Sequence, residues 1–221
     1  MSPRLASRFA ALLLASTLCA PAAFAADPWD LAPLGKQAGT VMVRLRAIGV
    51  LPENTSSATS IGGSVEATNQ AAPELDLSYF FTDHIAAELI AASTRHSISA
   101  SRTAIGGVDI GSTYILPPTL TLQYHFRPHA RFSPYIGAGV TVAWFYDTKP
   151  ADPPITKLGL ATTAGPAFQI GADYNVGGHW FLNVDAKQLI LNVRARANEG
   201  AIRARVSLDP TIIGAGIGYR F

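Results

Sequence analysis

Cysteine is almost missing from this chain of 221 residues: Cys19 is the only one, and Leu18 precedes it where a lipoprotein site needs a small residue. Cys19 lies inside an N-terminal apolar stretch. With that stretch set aside no thiol remains, which excludes a disulfide framework and a cysteine-bound metal. Charge is scarce as well. Asp, Glu, Lys and Arg make up 14% of the chain and 48% is hydrophobic, which is oily for a soluble protein. Yet no amphipathic helix of useful length can be traced, and no internal segment reads as a spanning helix. Nor is there an excess of one sign: taking Arg4 and Arg8 from the 17 basic residues leaves 15 against 15 acidic ones. That balance gives no footprint for a nucleic-acid partner.

What the N-terminus does contain is an export signal. Arg4 and Arg8 form a basic start, residues 9–18 are apolar apart from Ser16 and Thr17, and Pro21 precedes Ala23-Phe24-Ala25, a small-x-small site. The uncharged run 9–26 touches the lower length limit of a spanning helix, but its apolar core is shorter and Pro21 interrupts it. Residues 1–25 are therefore expected to be a cleaved signal peptide, and 26–221 one exported domain.

The oiliness sits in segments of period two. In residues 73–81, Leu75, Leu77, Tyr79 and Phe81 share one parity, while Glu74, Asp76 and Ser78 share the other. In 119–126, Leu120, Leu122, Tyr124 and Phe126 alternate with Thr119, Thr121, Gln123 and His125. Residues 41–50, 85–92, 135–146, 164–174, 180–193 and 213–221 complete eight half-apolar strands. The connections alternate in length. Residues 82–84, 127–131 and 175–179 are short turns, whereas 51–72, 97–113 and 147–162 are long and rich in small or polar residues; a last hairpin lies near 197–200. An even strand number with one-sided long loops predicts an eight-stranded antiparallel transmembrane β-barrel, with short periplasmic turns and long extracellular loops. In such a barrel every backbone N–H and C=O is paired and no edge is left in hydrocarbon.

Periodicity alone would also fit a soluble barrel or sandwich. Aromatic placement argues for lipid. Tyr79, Phe81, Tyr124, Phe126, Tyr174 and Tyr219 end strands that run down, and Tyr135 and Trp180 begin strands that run up, as a periplasmic girdle would require. Trp144, Phe145 and Tyr146 mark the opposite girdle. The other parity carries Arg44, Glu74, Asp76, Glu88, His125, Asp173, Asp185 and Lys187, which are expected to face the lumen. Eight strands leave an interior that side chains can nearly fill, so these charges favour a salt-bridged plug over an open aqueous pore.

Leu116-Pro117-Pro118-Thr119-Leu120, then Arg131-Phe132-Ser133-Pro134-Tyr135-Ile136-Gly137-Ala138-Gly139, then Leu208-Asp209-Pro210 and the terminal Gly218-Tyr219-Arg220-Phe221 resemble the outer membrane protein W (OmpW) family. Phe81-Thr82-Asp83-His84-Ile85 with Glu88-Leu89 is similar to that family's second-to-third-strand turn. The resemblance covers essentially the whole exported chain. It implies an eight-stranded barrel with a narrow, partly hydrophobic passage for small hydrophobic molecules. The terminal Tyr219 and Phe221 resemble the recognition signal of the outer-membrane assembly machinery, an expected partner during biogenesis. Family gating residues lie partly in long loops that diverge here, so no gate carries over.

Local motifs admit more than one reading. Pro117 and Pro118 remove two ladder donors: they mark either a lateral exit for an apolar solute or a simple loop-to-strand entry. Gly137/Gly139 and Gly214/Gly216/Gly218 lack the following helix of a nucleotide-binding loop and are expected to permit strand curvature or close packing in a small barrel. His125 and His129 straddle Pro128 in a strand-to-turn segment, so helical metal spacing does not apply. His96 with Glu88 and Ser93, Ser97 or Ser99 is the one arrangement that would suit a hydrolase at the rim. Asn54-Thr55-Ser56 fits a glycosylation sequon only formally. The leading expectation is therefore a non-enzymatic outer-membrane barrel without cofactor, which admits small hydrophobic solutes through an apolar vestibule. Ile61, Val65, Ile98, Ile105, Val108, Ile110, Ile155 and Leu158 are placed to line it. An adhesive barrel with partner-binding loops, and a membrane lipid hydrolase, are the alternatives.

Overall fold

The computed structural model describes residues 35–53, 56–60, 62–104, 106–151, 153 and 155–221. The expected signal peptide, Asn54, Ile61 and Ile105 lie outside the described residues. Eight staves build the wall, several of them broken into a lower and an upper strand. They are β1 (Val41–Leu51); the outer strands β2 (Ser56–Thr59) and β3 (Ser64–Ala67); β4 (Gln70–Phe80); β5 (Ile85–Ala92) continued by β6 (Thr94–Thr103); and β7 (Gly106–Leu116) continued by β8 (Thr119–His125). Then follow β9 (Phe132–Pro150), β10 (Leu158–Leu160), β11 (Thr163–Gly177), β12 (Trp180–Leu189) continued by β13 (Asn192–Ala197), and β14 (Ile202–Ser207) continued by β15 (Thr211–Arg220).

The ring runs β1-β4-β5-β8-β9-β11-β12-β15 and back to β1, each neighbour antiparallel. Closure rests on ten consecutive registered pairs from Met42↔Arg220 to Leu51↔Thr211, so no edge strand is left in the ring. The alternation of the sequence becomes the two faces of the wall. Leu75, Leu77, Leu120, Leu122, Ile170, Leu182, Val184 and Ile217 are exposed on the outside, while Arg44, Arg46, Glu74, Asp76, Glu88 and Asp185 are buried inside. A water-soluble barrel inverts this arrangement; lipid is the solvent that makes it stable.

The expected loops are shorter than composition suggested. Residues 97–113 form the β6–β7 hairpin, 147–162 contain the end of β9 and all of β10, and 51–72 contain β2, β3 and the start of β4. Ser, Thr and Gly suit these extensions because, above the bilayer, the outer face of a strand need only meet water. Inward Val65, Ala100 and Val206 pack together there, with Ile98, Ile110, Ala204 and Leu208 against them.

Candidate functional site

From the periplasmic end upward, the lumen is first polar and then apolar. Met42, Phe80, Ala86 and Phe181 pack together at the base. Lys36, in the segment before β1, enters the barrel there. Its ammonium donates to His125 Nδ1 (2.9 Å), Ser133 Oγ (2.8 Å) and Asp173 Oδ2 (2.7 Å). The other ring nitrogen, Nε2, faces Gln123 Oε1 at 3.1 Å.

Arg44 and Arg46 follow on the inward parity of β1. Arg44 donates to Ser78 Oγ at 2.7 Å and to Glu88 Oε1 at 2.6 Å, and lies 3.3 Å from Asp173 Oδ2. Arg46 meets Asp185 at 2.6 Å, Asp76 at 2.7 Å and Glu74 at 2.9 Å. The Arg46 Nε–Asp76 approach is off the hydrogen-bond axis, so charge rather than a directed bond joins them. Gln123 and Gln169 donate to Glu88 Oε2 at 2.7 and 2.8 Å, and Asn183 donates to Asp173 Oδ1 at 2.8 Å. Lys187 closes the network above, 2.5 Å from Glu74. Cations and carboxylates interleave across the whole cross-section, which is how charges this deeply desolvated are held.

Thus Arg44, Glu74, Asp76, Glu88, His125, Asp173, Asp185 and Lys187 all lie buried inside the barrel and belong to one network. Tyr79, Phe81, Tyr124, Phe126, Tyr174 and Trp180 are exposed on the outer wall at its lower end, with Tyr219 edge-on to both Trp180 and Phe221. Tyr135 is a correction. It is 0% exposed and points inward, where its hydroxyl accepts from Asn183 Nδ2 at 3.0 Å and its ring lies 5.7 Å from the Arg44 guanidinium. The neighbouring Phe132, 51% exposed, takes the lipid-facing place. An aromatic at a strand start carries no parity of its own; Ser133 and Thr141, inward on the same stave, were the available signal. Trp144 and Tyr146 face outward as expected, but Phe145 turns inward to the cavity above.

That cavity begins where inward residues change character. On β1, Arg44 and Arg46 give way to Ile48 and Val50; beyond Lys187 come Leu189 and Leu191. These side chains pack with Ala143, Ala167 and Ile212. The space they line, about 50 Å³, has Glu74 and Lys187 at its floor and Ile90, Ala92, Ile115 and Pro117 along one side. A second apolar space of about 40 Å³, bounded by Val65, Ile98, Leu160, Val193 and Val206, shares Ala67, His96, Ile115, Phe145 and Leu208 with the first. Val65 and Ile98, expected in a vestibule, are therefore in its lining. Ile110 packs behind them, Ile155 is buried nearby in the chain, and Leu158 lies against Gly111.

Pro117 and Pro118 stand at a break in the wall. Pairing between β5 and β8 stops at Ile90↔Thr119 and resumes between β6 and β7 at Thr94↔Ile115. The register is unbroken, so Ala92 lies opposite Pro117 with no ladder recorded between them. Pro117 has no N–H, and its carbonyl takes the Thr119 hydroxyl at 3.0 Å. On the other side the wall is continuous: Val142 N–H donates to Pro118 O at 3.0 Å. The prolines thus sit inside a stave, and not at a loop-to-strand entry.

His96 and Glu88 are not assembled as a rim acid–base pair. Burial holds the His96 imidazole below its ordinary range, opposed in part by the Thr68 carbonyl. Its Nδ1–H donates to that carbonyl at 2.7 Å and its Nε2 accepts the Thr94 hydroxyl at 2.9 Å, while Glu88 is engaged by Arg44, Gln123 and Gln169.

The OmpW family profile matches residues 37–221. The chain belongs to the OmpW family. It is 40% identical over 183 residues (81% of this chain, 79% of the relative) to the uncharacterized outer-membrane protein y4mB of Sinorhizobium fredii. It is 28% identical over 162 residues, 72% of this chain and 76% of the relative, to the dibenzothiophene metabolism operon protein PahQ of Pseudomonas aeruginosa. Among solved structures, the outer membrane protein OprG of Pseudomonas aeruginosa superposes with a TM-score of 0.80 at 25% identity, covering 87% of this chain and 99% of that one. The protein is an outer-membrane barrel, and the orientation with short turns in the periplasm follows.

Proposed function

We propose that this barrel takes small hydrophobic molecules from the cell exterior into the apolar upper lumen and releases them sideways into the bilayer beside Pro117. The observation that carries the reading is the juxtaposition of a greasy cavity, a charged floor and a weakened wall. A solute in the cavity meets Ile48, Val50, Leu189 and Ile212, gaining roughly 25 cal/mol per Å² of apolar surface removed from water. Passage straight down would require it to part the Arg46 and Lys187 ion pairs, whose separation exposes unpaired buried charge. Parting the seam between Ala92 and Pro117 breaks no ladder bond and leads to acyl chains. The relative named for a dibenzothiophene metabolism operon supports the same solute class, since dibenzothiophene is an apolar fused-ring aromatic.

Filling the cavity tests this. Ala143 is buried in its lining. In vesicles carrying Ala143→Phe, entry of an apolar aromatic is expected to fall about tenfold against the unmodified barrel, as a loss of some 1.4 kcal/mol of solute binding would produce. Entry of a small sugar should stay at the protein-free rate in both. Equal aromatic entry through the two barrels would remove the cavity from the pathway.

A further inference from the structure

Four arginines occupy the outer face of the extracellular hairpin formed by β13 and β14. Arg194 lies directly across from Arg205, and Arg196 across from Arg203. All four side chains are exposed and alternate with inward Val193, Ala195, Ala197, Ala204 and Val206. Like charges placed opposite one another on a sheet repel, so such a block gains stability from counter-charge. The fold supplies little. The flanking strands put Gly159 beside Arg196 and Ala58 beside Arg205, and the hairpin's own Glu199 is held by Lys157. Among the described residues none of the four arginines is in an ion pair.

Their height on the wall is informative. Trp180, Leu182, Val184, Ala186, Gln188, Ile190, Asn192, Arg194 and Arg196 keep one outward parity up a single stave, Gln188 being polar just below Ile190. From Trp180 in the periplasmic girdle to Ile190, the last apolar outward residue, the wall rises about 25 Å at ordinary strand rise and tilt, the height of a barrel's lipid band. Arg194 and Arg205 then lie about 10 Å above that edge and Arg196 and Arg203 about 5 Å higher. The block thus faces sideways, just over the acyl chains, and long side chains there can reach down to headgroups. A cleft beside it is lined by Thr162, Thr163, Asn192, Arg194 and Arg205, joining hydroxyl and amide groups to two guanidinium forks. Guanidinium forks match phosphate oxygens two at a time.

We infer that this face is a docking site for lipopolysaccharide, the phosphate-bearing glycolipid of the outer leaflet, with the arginines gripping its lipid and inner-core phosphates. Sideways placement at headgroup level distinguishes this partner from a soluble one, which would meet the loop tips. The site lies away from the Pro117 seam, so the inference stands apart from the transport reading.

The test uses the full exported barrel refolded in detergent free of lipopolysaccharide, with folding checked by heat-dependent electrophoretic mobility. Binding of rough lipopolysaccharide is compared with that of its dephosphorylated form. The variant R194Q/R196Q/R203Q/R205Q is expected to lose at least about tenfold in affinity for the phosphorylated form, and the unmodified barrel should bind the dephosphorylated form equally weakly. A charge-matched control, R102Q/R127Q/R131Q/K149Q, is expected to keep its affinity. If the fourfold variant does not fold, R194Q/R205Q and R196Q/R203Q separately should each give part of the loss. Undiminished binding by these variants, an equal loss in the control, or indifference to phosphate would overturn the inference.

Discussion

Arg46 meets Glu74, Asp76 and Asp185 within 2.9 Å and has Glu88 at 3.8 Å, all buried. One guanidinium therefore offsets several carboxylates in a lumen without bulk water, and its removal should be costly. Arg46→Met is expected to destabilise the barrel by about 3–5 kcal/mol, read as a lower urea midpoint in detergent micelles, because the carboxylates are left uncompensated. Adding Asp76→Asn to that variant should recover part of the loss; a midpoint unchanged in the single variant would show that the network is not holding the lower barrel. Residue identity was partly legible beforehand. Arg44 and Arg46 share a parity in sequence, so Arg46 could have been found by the rule that placed Arg44. Lys36 could not: it sits in a segment without period, and only the folded barrel brings it to His125, Ser133 and Asp173.

Strands were the most legible feature, because the two solvents of a barrel wall impose a strict period of two on side chains. Residues 85–92 coincide with β5, and 119–126 differ from β8 by one residue. Extensions above the bilayer were read as loops because lipid no longer demands apolar residues on their outer face. The change from polar to apolar on the inward parity, from Arg46 to Ile48 and from Lys187 to Leu189, was present in the sequence yet carries meaning only once both staves are known to face one space. Glycines mark where staves approach closely. A Cβ at Gly216 would lie 2.1 Å from Leu45 O, so β15 could not pair with β1. Gly216→Val is expected to abolish the heat-modifiable folded form, whereas Gly49→Val, with nothing within 4 Å, should keep it. Similar folding of both would mean that this closure tolerates separation.

On the scale of the molecule, the chain is a tube closed by charge below and open to grease above. The lower closure predicts little ion conductance across planar bilayers. Loosening it with Lys36→Gly and Asp173→Gly together should raise conductance, since the pair removes the ammonium and a carboxylate it meets. Conductance in the unmodified barrel equal to that of the pair variant would argue for an aqueous pore instead.

The upper half carries the main claim, that solutes leave through the wall, and the opposed pair Ala92 and Pro117 allows it to be tested directly. Residues 26–221 contain no cysteine, so Ala92→Cys with Pro117→Cys places a single disulfide across the seam. Entry of an apolar aromatic into vesicles is then measured before and after reduction. Entry near the protein-free rate is expected while the seam is locked, with recovery when it is reduced. Entry that is equally fast in both states would contradict the claim.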